Sequence, residues 1–198
     1  GKGNTRLVVS ALKWLISNYE KMNIRILNIS VGMLASARRE EQEELLAAIE
    51  AVWDAGIVVV AAAGNNGPKD KSITIPGLCR KIITVGSSDD EEGEVKNLGL
   101  MRGYSGRGPT EACIMKPEVV APGTAIVSCK RMGNGYEMKS GTSMATPVVA
   151  GAVAVLLSRY SNLKPAEVKL RLYETSVDTG KSKHAQGWGR LDVMQLIR

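Results

Sequence analysis

Ser140-Gly141-Thr142-Ser143-Met144-Ala145-Thr146-Pro147 runs directly into Val148-Val149-Ala150-Gly151-Ala152-Val153-Ala154-Val155-Leu156-Leu157. Small, flexible residues here deliver one hydroxyl, Ser143, to the start of an almost purely apolar segment with helical composition. Pro147 falls near the first turn, where a missing backbone N–H costs least. No polar face interrupts the segment before Ser158 and Arg159, which predicts a helix that runs through the core. At ~18 residues it has the length of a membrane span, yet its Ala and Gly content and its Ser/Pro start fit a buried soluble helix better. A helix start presents free N–H groups and the positive end of the macrodipole, the electrostatics that suit a developing oxyanion. For an isolated serine, helix capping would be the preferred explanation.

The chain around this stretch reads as alternating helices and strands. Val8, Ala11, Leu12, Leu15, Ile16 and Tyr19 recur at helical spacing between Thr5 and Lys21. Ile24 to Val31 is a short β-branched run and reads as a buried strand. Ala37 to Ala55 is a second amphipathic helix, with Leu45, Leu46, Ile49, Val52 and Trp53 inward and Gly56 closing it. Ile57 to Ala63 is a continuous apolar strand of the kind found in parallel sheets covered on both faces. Further strands are expected at Ile82–Val85, Val119–Val120 and Ala125–Val127, with a hairpin turn at Gly133-Asn134-Gly135. Helices are expected from Pro165 to about Tyr173 and from Leu191 to Ile197. No repeat or second domain is visible, so residues 1–198 form a single domain.

Several segments together carry a resemblance. Gly-Thr-Ser-Met-Ala-Thr-Pro with its apolar helix is similar to the nucleophile segment of the subtilisin-like serine proteases of bacterial type. Leu27-Asn28-Ile29-Ser30-Val31-Gly32 resembles the family's substrate-binding strand, and Val58 to Gly67 resembles the strand and turn of its oxyanion-hole asparagine. Lys116 to Gly123 and Gly187-Trp188-Gly189 resemble its later loops, so the likeness spans about Val8 to Ile197.

The resemblance implies an α/β fold in three layers, with a mostly parallel sheet flanked by helices. It also implies that the family's N-terminal strands are missing from this C-terminal portion. The implied activity is a hydrolase's: endopeptidase cleavage through an acyl-enzyme on Ser143. The oxyanion would be held by the Asn65 side chain and the Ser143 N–H. Ser30, Val31, Gly32, Ala62, Ala63, Gly64 and Thr142 would bind substrate, the first six as two pocket walls whose backbone edges pair with an extended peptide. Neither Asn66 nor Thr74 is acidic, and the small wall residues leave room for a sizeable apolar side chain. The Ile75–Pro76 bond is expected to be cis.

A serine hydroxyl needs a base, and subtilisins carry Asp, then His, then Ser in chain order. Before Ser143 this chain has no histidine, and its single one, His184, follows the serine. Asp178-Thr179-Gly180 repeats the family's aspartate motif but sits after a helix, and reads as a helix-ending turn. Lys139 lies on the strand side of the turn and reads as solvated. The chain alone is therefore expected to be inactive; the alternative to a protease fragment is a catalytically dead, protease-like peptide-binding module.

The net charge of +6 comes from scattered residues without basic blocks or interleaved aromatics, Phe being absent. The charge pattern gives no expectation of a nucleic-acid partner, and no membrane partner is expected; a polypeptide substrate is what the resemblance implies. Cys79, Cys113 and Cys129 lack zinc or redox spacing and read as buried or free thiols, favouring a cytoplasmic over a secreted setting. Asp89 to Glu94 reads as a solvated acidic loop. No cofactor or metal site is expected in this chain, calcium in the full-length protein being left open. Loss of the neighbouring strands would expose Ile26 to Ser30 as a sheet edge through which the chain self-associates.

Overall fold

A computed structural model of the chain describes residues 4–32, 39–91 and 101–198. Helix α1 (Thr5–Met22) starts where the Asn4 side chain accepts the Arg6 N–H, and ends at Asn23 in the left-handed region. Strand β1 (Ile26–Ile29) leads to α2 (Arg39–Asp54), which buries Leu45, Ile49, Val52 and Trp53 as its apolar spacing predicts. The expected first positions of α2, Ala37 and Arg38, lie outside the described residues. Strands β2 (Val58–Ala62), β3 (Ile83–Ser87) and β4 (Val119–Ala121) complete a sheet of order β1-β2-β3-β4, every pair parallel. All five β2 residues are buried, as an unbroken apolar run in a sheet covered on both faces must be.

Strands β5 (Ile126–Cys129) and β6 (Tyr136–Lys139) form an antiparallel hairpin that turns through Gly133-Asn134-Gly135 and feeds α3 (Thr142–Arg159). Helix α3 lies along all four parallel strands. Helices α4 (Pro165–Thr175), α5 (Lys183–Gln186) and α6 (Val193–Leu196) finish the described chain. The last is shorter than its periodicity suggests, because Asp192 caps it by accepting the Gln195 N–H. The Ile75–Pro76 bond is cis, as are three other X–Pro bonds.

The course of α3 through the core is only half met. Ala145, Val149, Ala152, Val153 and Leu156 are buried against the sheet, whereas Val148 is 37% and Val155 48% exposed, with Gly151 and Ala154 beside them. An apolar helix buries only as much surface as its neighbours cover, and composition alone cannot tell a wrapped helix from a bare-faced one. The sheet edges differ in the same way. Val120 in β4 exchanges hydrogen bonds with Gly189 and Leu191, so that edge is occupied. β1 pairs with β2 alone and has no partner on its other side among the described residues.

Candidate active site

The strands run parallel, so the segments leaving β1 and β2 emerge together at one end of the sheet, beside the start of α3. Ser143 Oγ lies in the first turn of α3 and donates to the Ser30 carbonyl at 2.8 Å. Next to it, Thr142 N–H donates to Asn65 Oδ1 at 3.0 Å, and Thr142 Oγ1 donates to the same oxygen at 3.0 Å. Thr142 Oγ1 in turn accepts the Gly64 N–H at 3.1 Å. A backbone N–H can only donate, so the amide oxygen of Asn65 must face Thr142. Its Nδ2 therefore points the other way, and it has no acceptor among the described residues.

Gly141 makes that orientation feasible. Its φ of 148° suits glycine, and a Cβ there would stand 3.0 Å from Asn65 Nδ2. The Ser143 N–H is one of the unpaired donors of the helix start. Asn65 Nδ2 and Ser143 N–H thus form a pair of uncommitted donors beside a hydroxyl, at the positive end of an 18-residue helix. The expected catalytic pair, Ser143 and Asn65, is brought together.

The helix start is itself anchored. Gly141 N–H donates to Gly123 O, and Ala125 N–H to Ser140 Oγ. Asp89 Oδ1 accepts from Gly123 N, Thr124 N and Ser87 Oγ, and Tyr104 Oη bridges Ser87 and Thr124. Burial pushes the Tyr104 phenol above its ordinary pKa, which keeps it neutral in this network. Asp90 is buried as well and accepts the Ser105 N–H beside the Lys181 ammonium. Asp89 and Asp90 are therefore structural acceptors, not members of a solvated loop; Glu92, Gly93 and Glu94 lie outside the described residues. Sequence reading missed this network because short acidic runs look alike whether or not loop N–H groups converge on them.

A cleft of about 180 Å³ opens beside Ser143, lined by Gly32, Ala62, Gly64, Asn65, Asn66, Thr74 and Thr142. Thr74 stands between the two walls: a Cβ on Gly32 would lie 2.4 Å from Thr74 Oγ1, and one on Gly64 2.5 Å from it. Both glycines are needed to admit that side chain. The walls leave less room than expected, because Thr74 closes the slot between them. The expected pairing edges also differ. Ala63 N–H donates to Val85 O, its carbonyl accepts from Thr74 N, and the Gly64 carbonyl accepts from Gly106 N. The backbone groups of Ala63 and Gly64 are thus already committed within the fold. Val31, 60% exposed, and Gly32 have no backbone partner among the described residues, so the free edge belongs to Ser30–Gly32 alone.

The candidate bases lie elsewhere. His184 Nδ1 is 2.9 Å from Asp70 Oδ2, and Lys139 Nζ is 2.7 Å from Glu137 Oε1. Asp178 ends the turn after α4, accepting from Gly180 N, Gln186 Nε2 and Lys183 Nζ, and the Lys183 hydrogen bond first among these holds its carboxyl far below the usual range. Among the described residues nothing but the Ser30 carbonyl is hydrogen-bonded to Ser143 Oγ.

A second polar cluster sits where β3 and β4 begin, with Lys116 and Glu118 flanking Pro117. Lys116 is fully buried, its Nζ donating to Ile82 O, Thr84 Oγ1 and both Glu118 oxygens. Glu118 also accepts the Thr84 N–H and lies 2.9 Å from Lys169 Nζ. Burial holds the Lys116 pKa down to about 8 against the opposing pull of Glu118. Sequence reading likened this stretch to one of the family's later loops and assigned Lys116 and Glu118 no role.

Comparisons with known proteins agree on one family. The profile described as the subtilase family, peptidase S8, matches residues 1–189. Serine protease AprX of Bacillus subtilis is 36% identical over 207 residues, a span covering 96% of this chain and 46% of that protein. Subtilisin DY of Bacillus licheniformis is 33% identical over 98% of this chain and 62% of its own. The chain thus spans about half to three fifths of these curated relatives. Among solved structures, sphericase superposes with a TM-score of 0.79 at 25% identity, covering 97% of this chain and 65% of its own. A structure titled as the self-cleaved protease domain of PatA gives 0.71 at 27% identity, covering 96% and 66%. With a parallel sheet flanked by helices and these matches across almost its whole length, the chain belongs to the subtilase family of serine proteases.

Proposed function

We propose that residues 1–198 are the nucleophile-bearing part of a serine endopeptidase whose general base is supplied by polypeptide outside this stretch. The observation that carries this reading is the Asn65 amide, turned by Thr142 so that its N–H groups are free beside Ser143. In the reaction, Ser143 Oγ releases the Ser30 carbonyl, passes its proton to the base and attacks the scissile carbonyl carbon. The carbonyl oxygen becomes an oxyanion between Asn65 Nδ2 and Ser143 N–H. Collapse expels the amine, which takes up the proton the base received, and leaves an acyl ester on Ser143; water, deprotonated by the same base, then hydrolyses the ester and the serine hydroxyl is restored.

The substrate would be an extended polypeptide paired with Ser30–Gly32 on one side only. Thr74 favours a small side chain before the cut. The free edge of β1 and the bare face of α3 adjoin the nucleophile, and they suit a covering polypeptide that continues the sheet and brings the base. When that cover is absent, the same surfaces support self-association of the chain. The thiols of Cys79, Cys113 and Cys129 are all free, which supports a reducing compartment.

The hydroxyl's engagement with Ser30 O favours one second reading, a peptide-binding module without turnover. Fluorophosphonate labelling mapped to Ser143 separates the two. The protease reading expects labelling once upstream polypeptide is joined or added, and none in Ser143→Ala. Persistent absence of labelling in the extended protein would leave only the binding module.

A further inference from the structure

We propose that Asn134 is a deamidation site: the fold opens one of the chain's two Asn-Gly pairs to self-modification and shields the other. The pairs are Asn66-Gly67, beside the nucleophile, and Asn134-Gly135, in the turn between β5 and β6. In such a pair the backbone nitrogen of the glycine attacks the carbonyl carbon of the asparagine side chain. The bond to the side-chain nitrogen breaks, ammonia leaves, and a five-membered succinimide closes. Water then opens either carbonyl of that ring. The product is aspartate, or an isoaspartate whose backbone runs through the side chain and leaves a free α-carboxylate. Water is the sole co-reactant, and nothing is oxidised or reduced.

Both asparagines are exposed, so the glycines decide. Ring closure needs a nitrogen free to lose its proton and a backbone with room to swing toward the side chain. Gly67 has neither. Its N–H donates to Tyr104 O at 2.9 Å, and a Cβ on it would collide with the Ser105 and Gly103 carbonyls. Gly135 has both. Its N–H meets no acceptor among the described residues, and a Cβ on it or on Gly133 would meet nothing within 4 Å. The bond that closes the turn, Lys130 N–H to Gly135 O at 3.1 Å, uses the glycine's carbonyl and leaves its nitrogen alone. Lys130 and Arg131, exposed in the same turn, favour the negative charge that develops on the attacking nitrogen.

The test follows the full chain at mildly alkaline pH, folded and in urea, by peptide mapping, with isoaspartate reported by a protein isoaspartyl methyltransferase. In the folded chain the hairpin peptide should show the mass gain of amide-to-acid conversion and accept methyl groups. It should do so at least about tenfold faster than the Asn66 peptide, whose glycine must first open locally. In urea that preference should vanish, because the two pairs are chemically alike once the fold is gone. Asn134→Ser should abolish conversion and methylation in the hairpin peptide in both states. The proposal is overturned if the hairpin peptide stays unmodified in the folded chain, or if Asn66 there converts as fast or faster. It is equally overturned if the preference persists in urea, or if methylation of the hairpin peptide survives in Asn134→Ser.

Discussion

The two polar clusters of this molecule, one where β1 and β2 end and one where β3 and β4 begin, follow opposite rules. At the Lys116–Glu118–Lys169 end, long charged side chains are buried and almost every donor and acceptor is used. At the Ser143–Asn65 end, short side chains and backbone do the bonding, and they leave an amide and an N–H unspent. A buried charge is tolerated only when fully partnered, so the first cluster can only hold the fold together. The second keeps hydrogen-bonding capacity in reserve for something that arrives. Satisfaction marks structure here, and its deliberate incompleteness marks chemistry.

The largest effect is expected from Glu118→Gln, which leaves two ammonium groups around one neutral amide. Stability should fall by about 3–5 kcal/mol, read from urea unfolding midpoints; a loss below 1 kcal/mol would mean that the cluster is not structural. The converse change, Asn65→Ala, should move that midpoint less, by the equivalent of about 1 kcal/mol for the bonds it accepts from Thr142. In the completed enzyme it should slow turnover by about 10²–10³-fold, the loss known for removing this kind of donor in subtilisin, itself of this family. Equal losses of stability and turnover would erase the contrast between the two ends.

Thr74→Gly sharpens the picture of the cleft. It opens the slot between Gly32 and Gly64, so kcat/KM for a large apolar residue before the cut should rise by roughly 10–200-fold relative to alanine there. An unchanged ratio in a peptide-substrate series would put the specificity elsewhere. The smallest effect is one of pH. Folding lowers the Lys116 pKa from 10.5 to about 8. Between those values the unfolded chain binds more protons, so this group's contribution to stability rises with pH across that window. It does so by at most about 1.4 kcal/mol per pH unit. Subtracting the same curve for Lys116→Met isolates the effect from Cys79 and Tyr104, whose raised pKa values act in the opposite direction. A flat difference curve would show Lys116 to be unperturbed.

The reactive end was legible in the sequence because its chemistry lies in contiguous residue types: a hydroxyl before an apolar helix, an asparagine after an apolar strand. The β5–β6 turn and the buried β2 were legible for the same local reason. The charged end was not, because Lys116, Glu118 and Lys169 meet only after β3, β4 and α4 have packed. Thr74 shows a subtler limit. Its position at the pocket base could be named, but that its hydroxyl fills the gap between two glycines is a fact of distance. The bare face of α3 escaped notice because an apolar residue reads the same whether a neighbour covers it or not.

The bond between Thr142 and Asn65 joins residues 77 positions apart. A nascent chain therefore has its serine long before it has a correctly turned amide, since the turn after β2 and the start of α3 must first meet. An enzyme that cuts polypeptides endangers its own unfolded copies and its neighbours on the ribosome. For the endopeptidase proposed above, the means of stabilising the reaction's charge is withheld until the turn after β2 meets the start of α3, so competence arrives together with the protection of being folded.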